Sequence, residues 1–206
     1  ASAATSPSTT PATTTTTAPQ APLSFSGSAN EVVDAGRVVT APLLAVVTHD
    51  GSGEFDYRFL DAKGEDSQPS GRGGGIEGKY LGVVPVNLKT YQSFQFIQAT
   101  AQGPWAINLV DPATAPRAPT GSGQTYTGSG DAVVIYQVDV PKQVRITWTT
   151  CESNFQVTSW GESSRGLVNE IGAYDGEVLV PLGTVLLQVT SNGYGGPPPT
   201  WTVTTV

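Results

Sequence analysis

The chain has 206 residues, a formal net charge of −7, a pI near 4.5 and only 13% charged side chains. That acidic balance excludes a basic nucleic-acid face and a polybasic contact with anionic lipid. No apolar run approaches the roughly 18 residues of a membrane-spanning helix, and a single cysteine, Cys151, excludes an intramolecular disulfide.

In chain order, residues 1–24 form the first unit. The first 22 of them, ASAATSPSTTPATTTTTAPQAP, hold no charged and no large apolar side chain. Such a segment cannot bury enough surface to offset its ordering entropy, so a disordered spacer is expected. Its Ser/Thr/Pro composition also describes an O-glycosylated stalk. A second reading is that Ala12–Ala18, Thr-rich and free of proline, adds as a strand to a neighbouring subunit. Methionine is absent even at position 1, which leads us to expect removal of an export signal.

Residues 25–110 and 126–206 repeat one another. Phe25-Ser-Gly-Ser-Ala-Asn30 is matched by Tyr126-Thr-Gly-Ser-Gly-Asp131, and Gly78-Lys-Tyr80-Leu-Gly82 by Gly172-Ala-Tyr174-Asp-Gly176. Ala45 to Phe55 lines up with Arg145 to Phe155, which sets His49 against Thr149. Ile97 to Thr100 matches Leu187 to Thr190, and Trp105 matches Trp201. Landmarks recurring in one order indicate a tandem duplication. Residues 111–125, rich in Pro, Ala and Gly, form a linker. Modules so tethered should move relative to one another unless their faces pack.

Within each copy the apolar period is two. Val144, Ile146 and Trp148 alternate with polar residues, as do Phe55, Tyr57 and Phe59 and the pair Phe94 and Phe96, and Val185, Leu187 and Val189 form another row of period two. Such runs return every eight to fifteen residues between Gly, Pro, Asp and Ser clusters. The expected fold is all-β: two tandem antiparallel β-sandwiches, Ig-like or jelly-roll-like, with about seven strands each. In that fold Gly78, Tyr80, Gly82 and Gly172, Tyr174, Gly176 are structural corners. The glycines supply positive φ or close packing, and each tyrosine turns inward with its hydroxyl on a backbone group. Trp105 and Trp201 read as core anchors.

Gly128 to Asp131, Ser153 to Val157, Leu167 to Gly176 and Trp201 to Val203 together resemble a repeated β-rich module of secreted proteins and lipoproteins from actinobacteria and related bacteria. The likeness is close in the second copy and degraded in the first, where Gly71 to Ile76 replaces Leu-Val-Asn. The resemblance implies an extracellular location and contributes no active residue.

Residues for chemistry are sparse. The only histidine, His49, sits at a strand end beside Asp50 and Ser52, neighbours that cannot easily converge as a triad, so a solvated histidine is expected. Cys151 has no histidine of its own repeat to activate it. One His and one Cys are too few for a transition-metal site. Calcium is a weak alternative through the loop carboxylates Asp50, Glu54, Asp56, Asp61, Glu65 and Asp66, which match no known loop pattern. The glycine-rich stretch Gly71 to Gly78 lacks the Gly-Lys-Ser/Thr of a phosphate loop. No catalytic residue, metal or cofactor is therefore assigned. For binding, Trp160 is the first candidate, because it is out of phase with Phe155 and Val157 and so faces outward. Tyr194, in a loop absent from the first copy, is the second. The leading expectation is a non-enzymatic extracellular or envelope-tethered adhesion module that meets a surface polysaccharide or protein. A self-assembling structural subunit is the alternative, and a surface-polymer hydrolase the third.

Overall fold

Alternating apolar side chains become strands throughout, and a computed structural model of the protein is all-β, with four antiparallel sheets of four strands each. It describes residues 23–68, 73–115, 117–118, 121–136, 140–149, 154–191 and 199–206. Residues 1–22 of the expected stalk (1–24), with the donor segment Ala12–Ala18, lie outside these residues, as do Cys151 and Tyr194, whereas Leu23 and Ser24 are not stalk but open the first strand, paired with Leu109 and Asn108.

The first half contributes β1 (Leu23–Gly27), β2 (Glu31–Val39), β3 (Leu43–His49), β4 (Glu54–Leu60), β5 (Gly73–Glu77), β6 (Tyr80–Val86), β7 (Phe94–Ala101) and β8 (Trp105–Val110). A single 3-10 turn, Pro112–Thr114, opens the connecting segment; the Asp111 side chain accepts from the Ala113 N–H at its start. The second half contributes β9 (Thr125–Ser129), β10 (Ala132–Ile135), β11 (Gln143–Trp148), β12 (Asn154–Gly161), β13 (Ser164–Ile171), β14 (Tyr174–Leu179), β15 (Thr184–Ser191) and β16 (Thr200–Thr205). Among the described residues each half thus has eight strands, where about seven were expected. An edge strand such as β5, largely glycine, carries no apolar period to read.

In the first half a front sheet of order β1-β8-β3-β6 faces a back sheet of order β2-β7-β4-β5. The second half repeats both orders, with front sheet β9-β16-β11-β14 and back sheet β10-β15-β12-β13. One core lies between each pair of sheets. Val47, Ile107 and Trp105 of the first front sheet meet Phe55, Tyr57, Phe59 and Ile97 of its back sheet. Ile146, Trp148 and Trp201 meet Phe155, Val157 and Leu187 in the second half. Burying one such large side chain contributes roughly 1.5–3 kcal/mol, and this sets which face of each strand points inward.

Two rows depart from strict alternation. Phe94 points into the core but so do Ile97, Ala99 and Ala101, which leaves Phe96 on the outer face. The phase slips where β2 shifts register against β7, between Asp34 and Val39. Leu187 and Val189 are buried, whereas Val185 is 53% exposed beside a register shift at Trp160/Gly161.

A third apolar cluster joins the halves. Leu44 on β3, with Val83 and Val110 beside it, packs against Val133, Ile135, Trp160 and Leu186 of the second back sheet. The order of layers is therefore first back, first front, second back, second front. The faces do pack, which is the condition under which tethered modules stop moving independently.

Candidate functional site

The Gly-x-Tyr-x-Gly corners show a division of labour between their glycines. Gly78 and Gly172 have φ of 80° and 93°, a region that favours glycine. Gly82 and Gly176 instead clear space: a Cβ on Gly176 would lie 2.5 Å from the Tyr174 hydroxyl, and one on Gly82 would collide with the hydroxyl of Tyr80. Each tyrosine lies back along its own strand over the residue two positions on, because side chains at i and i+2 share a face. Contrary to expectation, the Tyr80 hydroxyl does not end on a backbone group. It donates to Oδ2 of Asp131 in the other half at 2.8 Å.

Asp131 is 8% exposed, and its Oδ1 accepts from the Ser191 N–H at 2.7 Å. Asn30, its equivalent, accepts from the Ala101 N–H at 2.9 Å. The same cap thus closes the same strand end in both halves, while the extra carboxylate oxygen of Asp131 is used across the junction. Burial holds the Asp131 carboxyl above its ordinary range, partly offset by its bonds to Ser191 and Tyr80. Burial likewise raises the Tyr80 phenol, reinforced by Tyr57 and Asp131 nearby. The backbone adds a further link, Val83 N–H to Asp131 O at 2.9 Å.

His49 is buried, not solvated: it is 2% exposed, stacked on Phe55 with centroids 4.6 Å apart, and its Nδ1–H donates to the Gly78 carbonyl at 2.7 Å. Strand register also changes its equivalent. His49 lies opposite Tyr80 and Trp105, as Trp148 lies opposite Tyr174 and Trp201. Its counterpart is therefore Trp148 and not Thr149, and Trp148 stacks on Phe155 at the same 4.6 Å. The repeat alignment was off by one across this strand, because the second half has one more residue before the phenylalanine.

Trp160 does face outward from its own sandwich, but the first half covers it. It is 8% exposed, its Nε1–H donates to Gln188 Oε1 at 3.0 Å, and Lys89 Nζ stands 5.3 Å from its ring centroid. It is an anchor of the junction and not a free platform. The loop carboxylates disperse: Asp50 pairs with Lys79, Asp61 caps its own turn through the N–H groups of Lys63 and Glu65, and Asp56 pairs with Arg58. Among the described residues no three His, Cys, Asp or Glu side chains gather as a metal site, and no helix is long and apolar enough to cross a membrane.

The surface that emerges is the outer face of the first back sheet. Register sets three cross-strand rows there: Val32–Gln98–Arg58, Asp34–Phe96–Leu60, and Thr100–Asp56. Asp56, Arg58, Gln98 and Thr100 line a shallow depression of about 110 Å³. Its floor includes a buried Asp56 oxygen without a hydrogen-bond partner, while the other Asp56 oxygen accepts from Arg58 at 3.4 Å. Half-buried Phe96 and Leu60 and exposed Val32 border it. The alternation of Asp56 and Arg58 with the core aromatics placed them outside, but their association with Gln98, Phe96 and Val32 depends on the register of three strands. Comparison with protein-family models gives no match, and comparison with curated proteins gives no significant one.

Proposed function

We propose that the protein is a non-enzymatic binding module of the bacterial cell surface, built of two stacked jelly-roll sandwiches and working through the outer face of its first back sheet. One observation carries this reading. The equivalent face of the second half, β10-β15-β12-β13, already holds a protein surface, since Val133, Ile135, Trp160 and Leu186 grip the first half. In the first half no cluster of the described residues covers the same face. It offers apolar Val32, Leu60 and Phe96 around a polar depression with donors in Arg58 and Gln98 and acceptors in Asp56 and Thr100. Apolar contact bordered by a few convergent polar groups is the usual make-up of a recognition surface. In this reading the residues before β1, 1–22, are the stalk, and the resemblance to modules of secreted proteins and lipoproteins supports the location. The burial and hydrogen bonding of His49 favour a binding role over hydrolysis.

Adsorption of the purified protein to isolated bacterial envelopes, measured by co-sedimentation, tests the reading. The double variant Arg58→Ala, Phe96→Ala should lose most of the bound fraction, while Thr204→Ala on the opposite end of the stack should lose none. Equal loss in both, or no adsorption by the parent, would overturn it.

A further inference from the structure

The junction between the halves is a head-to-tail contact, back sheet on front sheet, and both surfaces that form it are presented a second time at the two ends of the stack. Inside the chain, the receiving surface is the front-sheet row Pro85–Leu44–Val110, with Leu88 beyond its end. The equivalent row of the second half is Leu179–Gln143–Val206, with Leu182 at the position of Leu88. There Leu179, Val206 and Leu182 are 71%, 56% and 96% exposed. The gripping surface inside the chain is the row Ile135–Leu186–Trp160 with Val133 beside it. Its equivalent at the other end of the stack is Asp34–Phe96–Leu60 with Val32.

Resting on the reading that this face is a binding surface, we infer that its partner is a second copy of the chain, whose second front sheet docks there as the first front sheet docks inside the molecule. The observed junction gives the geometry. Tyr174 takes the place of Tyr80, and Asn30 that of Asp131, so a side-chain amide meets the phenol where a carboxylate does now. Because the two faces lie at opposite ends of four layers, each copy keeps one free end of each kind, and the contact propagates as an open row instead of closing as a symmetric dimer. The contact between copies is weaker than the one within the chain. Gln143 stands for Leu44, Glu177 for Val83 and Asp34 for Ile135, so polar groups interrupt the apolar rows. Net charge of −7 opposes association further, and added salt relieves that opposition.

Sedimentation velocity of the full chain over a concentration series, at low and high salt, tests this with two variants at exposed positions, Val32→Glu and Leu182→Glu. The parent should form a concentration-dependent ladder of species that lengthens with salt. Each variant alone should be monomeric with an unchanged melting temperature, because each retains one end only. Mixed in equal amounts they should form a one-to-one dimer and nothing larger, since the intact gripping face of Leu182→Glu meets the intact receiving face of Val32→Glu. A parent that stays monomeric at about 1 mM, where even a standard free energy of about −4 kcal/mol would show, overturns the inference; so does association that either variant leaves intact, or that mixing fails to restore. A monomeric parent whose envelope adsorption still depends on Arg58 and Phe96 would sink the self-association and leave the binding face standing.

Discussion

Tyr80 and Asp131, 51 residues apart in the chain and in different halves, are joined by a 2.8 Å hydrogen bond from phenol to carboxylate. This bond ties the corner motif of the first half to the strand-end cap of the second, so a local motif and a repeat landmark become one junction.

The protonation of Asp131 has a predictable sign. Burial raises its carboxyl above the ordinary 3.8, so the folded protein holds this proton more tightly than the unfolded chain does. The group's favourable contribution is therefore fully present below the ordinary value and declines as pH rises through the folded one. Asp131→Asn keeps an acceptor for Ser191, as Asn30 does for Ala101, and should flatten the decline of stability as pH rises above the ordinary carboxylate range. Asp131→Ala strands two buried donors and should cost about 2–5 kcal/mol at neutral pH. Denaturant melts across pH check both; a profile as steep in the asparagine variant as in the parent would exclude Asp131 as its source.

Trp160 supports the junction, so Trp160→Ala should destabilise the protein by about 3–5 kcal/mol. It should also split a single calorimetric transition into two, one per half. A tryptophan serving as an open ligand platform would shift stability by no more than about 0.5 kcal/mol.

His49 fills the place that Trp148 fills in the other half. Removing its ring should therefore act as a core truncation, with His49→Ala costing about 2–4 kcal/mol. His49→Phe, which keeps the stack on Phe55 and forfeits only the bond to Gly78, should cost less. Chemical denaturation of the two variants separates these outcomes from the near-zero effect of a solvated histidine.

Gly82 and Gly176 do the same steric job beside tyrosines with different obligations. Tyr80 is held by Asp131, so it cannot swing away from a new Cβ without breaking the junction. Gly82→Ala should therefore cost more than Gly176→Ala. The difference should shrink when both are measured in the Asp131→Asn background, because coupling energies appear only between groups that share a partner. Equal costs in the two backgrounds would mean that Tyr80 adjusts independently of the junction.

The all-β class and the core roles of Trp105 and Trp201 were legible in the residues, because a period of two is a local property and a repeated landmark needs no coordinates. Where the backbone slips register the same reading failed: Phe96 turns outward although it alternates with Phe94, and Val185 leaves its row. The one-residue offset that set His49 against Thr149 is of this kind, since register is decided by pairing with β6 and β8 and not by the strand itself.

Phase against Phe155 and Val157 placed Trp160 outside its own core, whereas the unbroken apolar run Leu43 to Val47 left Leu44 unassigned, and nothing within a strand says whether an outward face meets water or another sheet. That choice belongs to the tertiary structure. Leu44, Val83 and Val110 gain by leaving water together, and among the described residues the back sheet of the other half supplies the matching apolar row of Ile135, Leu186 and Trp160. The equivalent positions Gln143 and Glu177 carry amide and carboxylate groups whose desolvation offsets much of that gain, so the same face of the second half is the weaker receiving surface.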